Sequence, residues 1–266
     1  EARPNVTVDA FALCFKSGNA CLLKGGKEAT HSNLALAGLI QQSLTANAAP
    51  NDAVMLMTSS DREEMKSLLC MTGRIDLVIP RGGTELIRFV QEHARIPMVQ
   101  HLKGMSNQYV DDSADIERAS EICVTAKTSA PAACNAVETI LVHRAIAAVL
   151  LPDLVARFKS ERVDVRGDSE VCSLASGVVP AMPDDWGREF LDLVVAIRVV
   201  DHIDSAISHI RKYTSNHTEA ILSRDEINQR RFVNELESSC VVVNASTRFN
   251  DGFQLGLGAE IGISTS

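Results

Sequence analysis

Short apolar and β-branched runs alternate along this chain with longer segments whose apolar residues recur about every 3.6 positions. This alternation is typical of parallel strands joined by crossover helices. Apolar residues make up 45% and charged residues 23% of the 266 positions, a composition found in folded globular proteins rather than disordered ones. The sequence therefore predicts an α/β fold.

The first part of the chain predicts three strand–helix units that resemble one nucleotide-binding lobe. The third strand runs into Arg81-Gly82-Gly83, a glycine turn that would present backbone N–H groups and a positive helix end to an anion. Strands are expected at residues 20–24, 54–57 and 75–80, and helices from Ser32 as an N-cap, from Asp61 and around Leu86.

The pattern changes after a further short strand expected at residues 97–100. We therefore predict two domains, residues 1–102 and residues 103–266. In the second domain we expect a helix at 114–127, a loop at 128–134, strands at 138–143, 190–200, 219–222 and 241–244, and helices at 205–213 and 225–236.

Charge and hydropathy exclude several classes of protein. The net charge is −8 and no run of Lys and Arg is longer than a pair, which argues against nucleic acid and anionic membranes as partners. Apolar stretches such as 145–151 are far shorter than the roughly 20 residues that span a bilayer. No signal peptide opens the chain, and we expect a soluble protein.

Cysteine and histidine spacing gives no metal or disulfide signature. The seven cysteines are odd in number and lack a C-x-x-C pair, which favours a reducing compartment. His202 and His209 lie two helical turns apart without a carboxylate–histidine motif, and we expect both to be solvated helix residues. We predict no metal site.

Cys134 differs from the other six cysteines because small residues surround it in the segment SAPAACNA, residues 129–136. Small neighbours would let a substrate approach the thiol. The other cysteines have apolar neighbours or core periodicity and are expected to be buried. On residue type alone, a structural thiol remains the alternative to a nucleophile at Cys134.

Six segments resemble γ-glutamyl phosphate reductases, in that family's order and spacing from one end of the chain to the other. Several, above all the one around Cys134, resemble the reductase half of bifunctional Δ1-pyrroline-5-carboxylate synthases. The segments are residues 1–9 (EARPNVTVD), 25–33 (GGKEATHSN), 75–83 (IDLVIPRGG), 131–139 (PAACNAVET), 244–252 (NASTRFNDG) and 256–265 (GLGAEIGIST).

The resemblance implies the aldehyde dehydrogenase fold, with two Rossmann-like α/β/α lobes and Cys134 in the cleft between them. It implies NADPH-dependent reduction of L-glutamate 5-phosphate to L-glutamate 5-semialdehyde in proline biosynthesis. A thiolate would attack the acyl phosphate, and hydride would then reduce the resulting thioester. Asn5 is similar to the asparagine that stabilises the oxyanion; a turn asparagine is the alternative.

The resemblance also implies the ligands of the cofactor. Lys24 is similar to the lysine that contacts the adenine ribose, and Lys27 stands where NAD-selective relatives carry an acid. A cation there suits a 2′-phosphate, so we expect NADPH, with solvated surface lysines as the alternative. Residues 80–83, that is Pro80, Arg81, Gly82 and Gly83, would hold the phosphates, and Glu189 would bind the nicotinamide ribose.

For the substrate we expect Arg248 to bind the phosphate or the α-carboxylate through its planar fork of donors. Arginine bonded to backbone carbonyls is the alternative. Ser246, Thr247 and Asn135 are expected to add hydrogen bonds. Further expectations are a homo-oligomer, association or fusion with glutamate 5-kinase, and a cytoplasmic location, or the mitochondrial matrix for a eukaryotic synthase.

Other features separate reduction from its alternatives. Residues 97–103 contain no carboxylate to serve as the general base of an aldehyde-oxidising dehydrogenase, which favours reduction. Against activity, Ser106 and Asn107 replace the family's usual imidazole and thiol, and Ser129-Ala130 replaces a common Gln-Arg pair. The rival hypothesis is therefore a non-catalytic assembly or scaffold module that keeps the reductase fold.

Overall fold

The computed structural model describes residues 4–59, 61–99 and 104–260. The chain divides into two compact units. One comprises Glu1–His101 with Ala259–Ser264, and the other comprises Leu102–Gly258 with Thr265–Ser266.

Within its described residues, the first unit contains two parallel strands and four α-helices. Strands β1 and β2 pair with Cys21 opposite Val54, and a small apolar core forms around Ile40 and Leu44 of the second helix. The elements are α1 (Asn5–Lys16), β1 (Cys21–Leu23), α2 (Thr30–Ala46), β2 (Val54–Leu56), α3 (Arg62–Leu69) and α4 (Thr84–His93).

The predicted elements of this unit are confirmed in part. The Asp61 side chain accepts from the Glu63 N–H, so Asp61 caps α3 as expected. Ser32 is not an N-cap, because a short 3₁₀ helix (Lys27–Ala29) starts the turn and α2 begins at Thr30. The predicted strands at 75–80 and 97–100 reduce to a single parallel bridge between Val78 and Met98; Gln100 lies outside the described residues.

The second unit contains a seven-stranded sheet in which every paired strand runs parallel to its neighbour. The spatial order is β6-β5-β7-β4-β3-β8-β9. The strands are β3 (Ser106–Val110), β4 (Thr139–His143), β5 (Asp164–Gly167), β6 (Val179–Pro180), β7 (Val194–Val200), β8 (Thr218–Leu222) and β9 (Cys240–Val243).

Helices cover both faces of this sheet. One core packs α5 (Ile116–Thr128), α6 (Arg144–Ser160) and α7 (Ser169–Leu174) on one face. A second core packs α8 (Ile203–Tyr213) and α9 (Glu226–Glu235) on the other. Burial on both faces explains the nearly continuous apolar runs in the central strands. The predicted α/β fold is confirmed.

The sequence analysis did not predict α1, β3, α6, β5, α7 and β6. Three of these elements show why, because their sequences carry little periodic signal. Strand β3 begins with Ser106, Asn107 and Gln108, which are polar yet fully buried. Helix α6 buries one side, but apolar residues such as Val149 also lie on its exposed side and Pro152 lies within it, so no single apolar stripe marks it in the sequence. Helix α1 follows Pro4 without a side-chain cap, and its first residue is Asn5.

His209 corrects the prediction that both helical histidines are solvated. Its ring lies in α8 against Trp186 and Tyr213, with Nδ1 3.0 Å from an Arg198 amino group. Burial, with the nearby cations, lowers the pKa of His209 to about 4. His202 is exposed as predicted and caps α8. Cys70, which we expected to be buried, is exposed.

None of the helices among the described residues is both long and apolar enough to cross a membrane.

Candidate active site

Cys134 lies in the loop between α5 and β4, half-buried and tightly backed. A Cβ on Gly104 would lie 2.4 Å from the Cys134 Cβ and 2.8 Å from its carbonyl oxygen. The Ser106 hydroxyl donates to that carbonyl at 3.2 Å. The position of the thiol therefore depends on a glycine facing it.

Glu189 is joined to Cys134 through this same glycine. Its Oε1 accepts a hydrogen bond from the Gly104 N–H at 3.1 Å. In the part of the chain that the structure describes, no donor contacts the other Glu189 oxygen. The predicted cofactor ligand therefore lies beside the predicted nucleophile, within the same unit.

Arg248, which is distant from Cys134 in sequence, contacts the loop that carries Cys134. It lies in a short 3₁₀ helix (Thr247–Phe249) that Ser246 caps by accepting from the Arg248 N–H. The Arg248 Nε donates to the Ser129 hydroxyl at 3.3 Å. Among residues 104–260, no carboxylate pairs with this guanidinium, and its terminal amino groups keep their donors for a ligand.

We expected the side chains of Asn135 and Thr247 to face the substrate. In the structure their polar groups bond to other parts of the protein instead. The Asn135 amide donates to the Asn250 carbonyl at 2.9 Å, and the Thr247 hydroxyl donates to the Asn135 carbonyl at 2.7 Å. Thr247 is fully buried and Asn135 nearly so. These two side chains hold the Arg248 segment against the Cys134 loop.

Ser106 and Asn107, the two residues of β3 that differ from the family's usual imidazole and thiol, have structural roles. Ser106 supports the Cys134 carbonyl, and the Asn107 amide donates to the buried Glu219 carboxylate at 2.9 Å. Burial raises the pKa of Glu219 to about 7, although hydrogen bonds from Thr214, Asn107 and Ser238 oppose that shift.

A buried ion pair lies next to the Cys134 loop, and the sequence analysis missed it. Lys127 Nζ lies 2.7 Å from Glu138 Oε2, with both side chains at most 1% exposed. Burial lowers the pKa of Lys127 and raises that of Glu138 to about 7, while attraction between the two groups opposes both shifts. The signal was a lysine on the apolar face of α5, four residues after the buried Cys123.

A pocket in the first unit brings the two predicted cofactor lysines together. Lys24 and Lys27 line it together with Thr58 and Ser59, which follow β2. The sequence analysis missed these two hydroxyl residues, which directly follow a predicted strand. Gly25 lies so close to Asn33 that a Cβ there would be 1.8 Å from the Asn33 amide nitrogen. The pocket therefore combines positive charge, hydroxyl groups and the backbone of Gly25 and Gly26.

The predicted phosphate turn precedes helix α4. Pro80 is buried, whereas Gly82 and Gly83 are exposed, and Gly83 occupies the N-cap position of α4 in an extended conformation. The helix therefore begins with no capping side chain, as expected for a turn that offers backbone donors.

Asn5 is the first residue of α1, which excludes the alternative of a turn asparagine. It is exposed, and its amide donates to the Asp9 carboxylate at 3.1 Å. Asn5 belongs to the first unit and Cys134 to the second. Its role as oxyanion donor stays a prediction.

Comparison with known proteins gives relatives along the whole chain. It is 52% identical over 266 residues to a γ-glutamyl phosphate reductase of Xylella fastidiosa and 49% identical to one of Geotalea daltonii, and it covers 64% of each. The chain thus spans less than two thirds of these relatives.

Solved structures agree. The crystal structure of γ-glutamyl phosphate reductase from Thermotoga maritima matches 99% of this chain and 64% of its own, with 44% identity and a TM-score of 0.95. An acetylating aldehyde dehydrogenase from Geobacillus thermoglucosidasius matches with a TM-score of 0.76 at 16% identity, which supports the fold alone. The aldehyde dehydrogenase family model matches residues 4–176, well over half of the sequence. The chain therefore belongs to the aldehyde dehydrogenase family.

Proposed function

We propose that the chain reduces L-glutamate 5-phosphate to L-glutamate 5-semialdehyde with NADPH and releases phosphate, with Cys134 as the nucleophile. The observation that carries this proposal is the similarity to γ-glutamyl phosphate reductases over all 266 residues, including the segment around Cys134. The packing of Cys134 against Gly104, which bonds to Glu189, and the bond from Arg248 to Ser129 in the same loop support it.

The residues of the second unit suit acyl transfer. The Cys134 thiolate would form a bond to the acyl carbon while the bond to the phosphate oxygen breaks, which leaves a thioester and free phosphate. Arg248 would neutralise the anionic substrate, because a guanidinium pairs with phosphate or carboxylate oxygens through two parallel bonds. Asn135, Ser246 and Thr247 would contribute by holding Arg248 in place.

The N–H of Cys134 and the amide of Asn5 would stabilise the negative charge on the acyl oxygen in each tetrahedral intermediate. After the thioester is reduced, its carbon–sulfur bond breaks and Cys134 is restored as the thiolate. The aldehyde then leaves the site.

The pocket in the first unit would bind the end of NADPH that carries the 2′-phosphate. NADPH supplies the hydride when it is bound. Lys24 and Lys27 offer two cations to the 2′-phosphate, and Thr58 and Ser59 add hydroxyl donors. Residues 80–83 would hold the other phosphates, and Glu189 would bind the nicotinamide ribose. NADPH rather than NADH as the cofactor, the homo-oligomer, the link to glutamate 5-kinase and the cytoplasmic location remain predictions.

The reaction run backwards tests this proposal. Glutamate semialdehyde, phosphate and NADP⁺ should yield NADPH, and Cys134→Ser should lower the rate at least about a hundredfold, while Cys172→Ser, another half-buried thiol, keeps it. A Cys134→Ser rate within about threefold of wild type, some 0.6 kcal/mol, would refute the nucleophile. No NADPH from the wild type would refute the reaction itself.

A further inference from the structure

The Lys127–Glu138 ion pair is buried, and burying two charges costs free energy. Buried ion pairs are often replaced by apolar residues without loss of stability, so stability alone gives no reason for this one. Lys127 lies in the last turn of α5, and Glu138 directly precedes β4. The contact at 2.7 Å uses only one of the two Glu138 oxygens.

The second oxygen, Glu138 Oε1, holds the backbone just after Glu189. It accepts from the Leu191 N–H at 3.2 Å, and the Phe190 N–H also bonds to the carboxylate. Leu191 has a φ of 54°, in the left-handed region that residues with a Cβ rarely adopt. Such a conformation costs on the order of 1–3 kcal/mol and persists only where neighbouring contacts impose it. Glu138 supplies that contact.

The other end of the same loop is fixed independently. Asp185 pairs with Arg166 at 2.6 Å and accepts from the Met182 N–H, and Gly187 packs against the Tyr213 backbone and ring. From this side the Arg188 N–H also bonds to the Asp185 carbonyl, and the Arg166 guanidinium lies over the Phe190 ring. The backbone at Leu191 is held from the opposite side, by Glu138. Glu189 lies between Arg188 and Leu191 and accepts from the Gly104 N–H.

We propose that Lys127 and Glu138 are positioning residues for Glu189. Lys127 orients the Glu138 carboxylate, Glu138 fixes the backbone at residues 190–191, and that backbone directs Glu189 to Gly104, which backs Cys134. The inference rests on the proposed function only for the ligand of Glu189, the nicotinamide ribose; the mechanical link stands on the contacts themselves.

Two double variants separate this role from a general structural one. Lys127→Met with Glu138→Gln removes the buried charge but keeps an acceptor for the Leu191 N–H. Lys127→Met with Glu138→Leu removes the charge and the acceptor together. Hydrogen exchange read by mass spectrometry in peptides covering residues 187–193 and 104–110 reports the link directly, whether or not the protein is active.

We expect the leucine variant to exchange at least about tenfold faster in both peptides, and the glutamine variant to stay within about threefold of wild type. In NADPH titrations of active protein, the leucine variant should raise KM at least about fivefold over the glutamine variant at similar melting temperature. Glu219→Gln, at an equally buried carboxyl with no contact to this loop, should leave the 187–193 peptide unchanged.

Equal exchange in the two double variants, or faster exchange across the whole second unit in both, would overturn the proposal. If the leucine variant fails to fold, Glu138→Asp decides. It keeps the charge but is one methylene too short to reach both partners, so faster exchange confined to residues 187–193 supports the link and unchanged exchange refutes it. If the wild type lacks reductase activity while the exchange results hold, the function fails and the positioning role stands.

Discussion

Two cations lie beside the segment that carries Cys134, and they are held in opposite ways. Lys127 is fully buried and pairs with Glu138, whereas Arg248 is half-buried and contacts only the Ser129 hydroxyl through its side chain among the described residues. A buried charge must be paired, and because the Lys127 side chain is fully buried, its ammonium group is out of reach of a ligand. The guanidinium of Arg248 keeps its fork of donors. The inner cation therefore builds the site, and the outer one is available to bind.

The largest predicted effect tests the rule that a buried charge must be paired. Glu219 is a carboxyl as buried as Glu138, but it has no cation partner within the described ranges 61–99 and 104–260. Its pKa is about 7 in the folded protein against 4.5 as the ordinary value. Between these values the folded state holds a proton that the unfolded state has lost, so stability falls as pH rises from 4.5 to 7.

Glu219→Gln should remove this dependence. Between pH 4.5 and pH 8, the wild type should lose on the order of 3 kcal/mol more unfolding free energy than the variant loses. Urea unfolding at the two pH values measures it, and because Glu138 titrates in both proteins, its contribution cancels. A difference that does not change with pH would show that the pKa of Glu219 is the same in the folded and the unfolded protein.

A smaller effect tests the outer cation. Arg248→Lys keeps the charge but loses the fork, and substrate affinity should fall at least tenfold, about 1.4 kcal/mol, with the melting temperature nearly unchanged. Arg230→Lys, at an exposed arginine of the same unit, is the matched control. A large drop in melting temperature with unchanged affinity would instead make Arg248 a structural residue.

Much of the fold could be predicted from the sequence because crossover helices and buried strands repeat their apolar pattern. The prediction failed where burial and polarity coincide. Strand β3 was missed because its buried residues include Ser106 and Asn107, and His209 was misplaced because its partners Arg198 and Trp186 are distant in sequence. Such residues are buried by specific partners, which no periodicity reveals.

The candidate site divides in the same way. Cys134 and Arg248 could be found from local sequence and resemblance, since each lies in a recognisable segment. The contact of Gly104 with Cys134 and the bond from Leu191 to Glu138 join positions 30 and 53 residues apart. The hydrogen bonds by which Asn135 and Thr247 join their two segments are likewise contacts between residues distant in sequence, which the sequence does not reveal.

The central claim, that Cys134 is the activated nucleophile, is tested most directly by the order in which the cysteines react. Limiting iodoacetamide near pH 7, followed by mass spectrometry, should label Cys134 first, ahead of the more exposed Cys70, because a thiolate rather than mere exposure sets the rate. Cys123, whose pKa burial raises strongly, should be labelled last. If Cys70 reacts before Cys134 in the folded protein, Cys134 is not activated, and the rival hypothesis of a non-catalytic module gains the support.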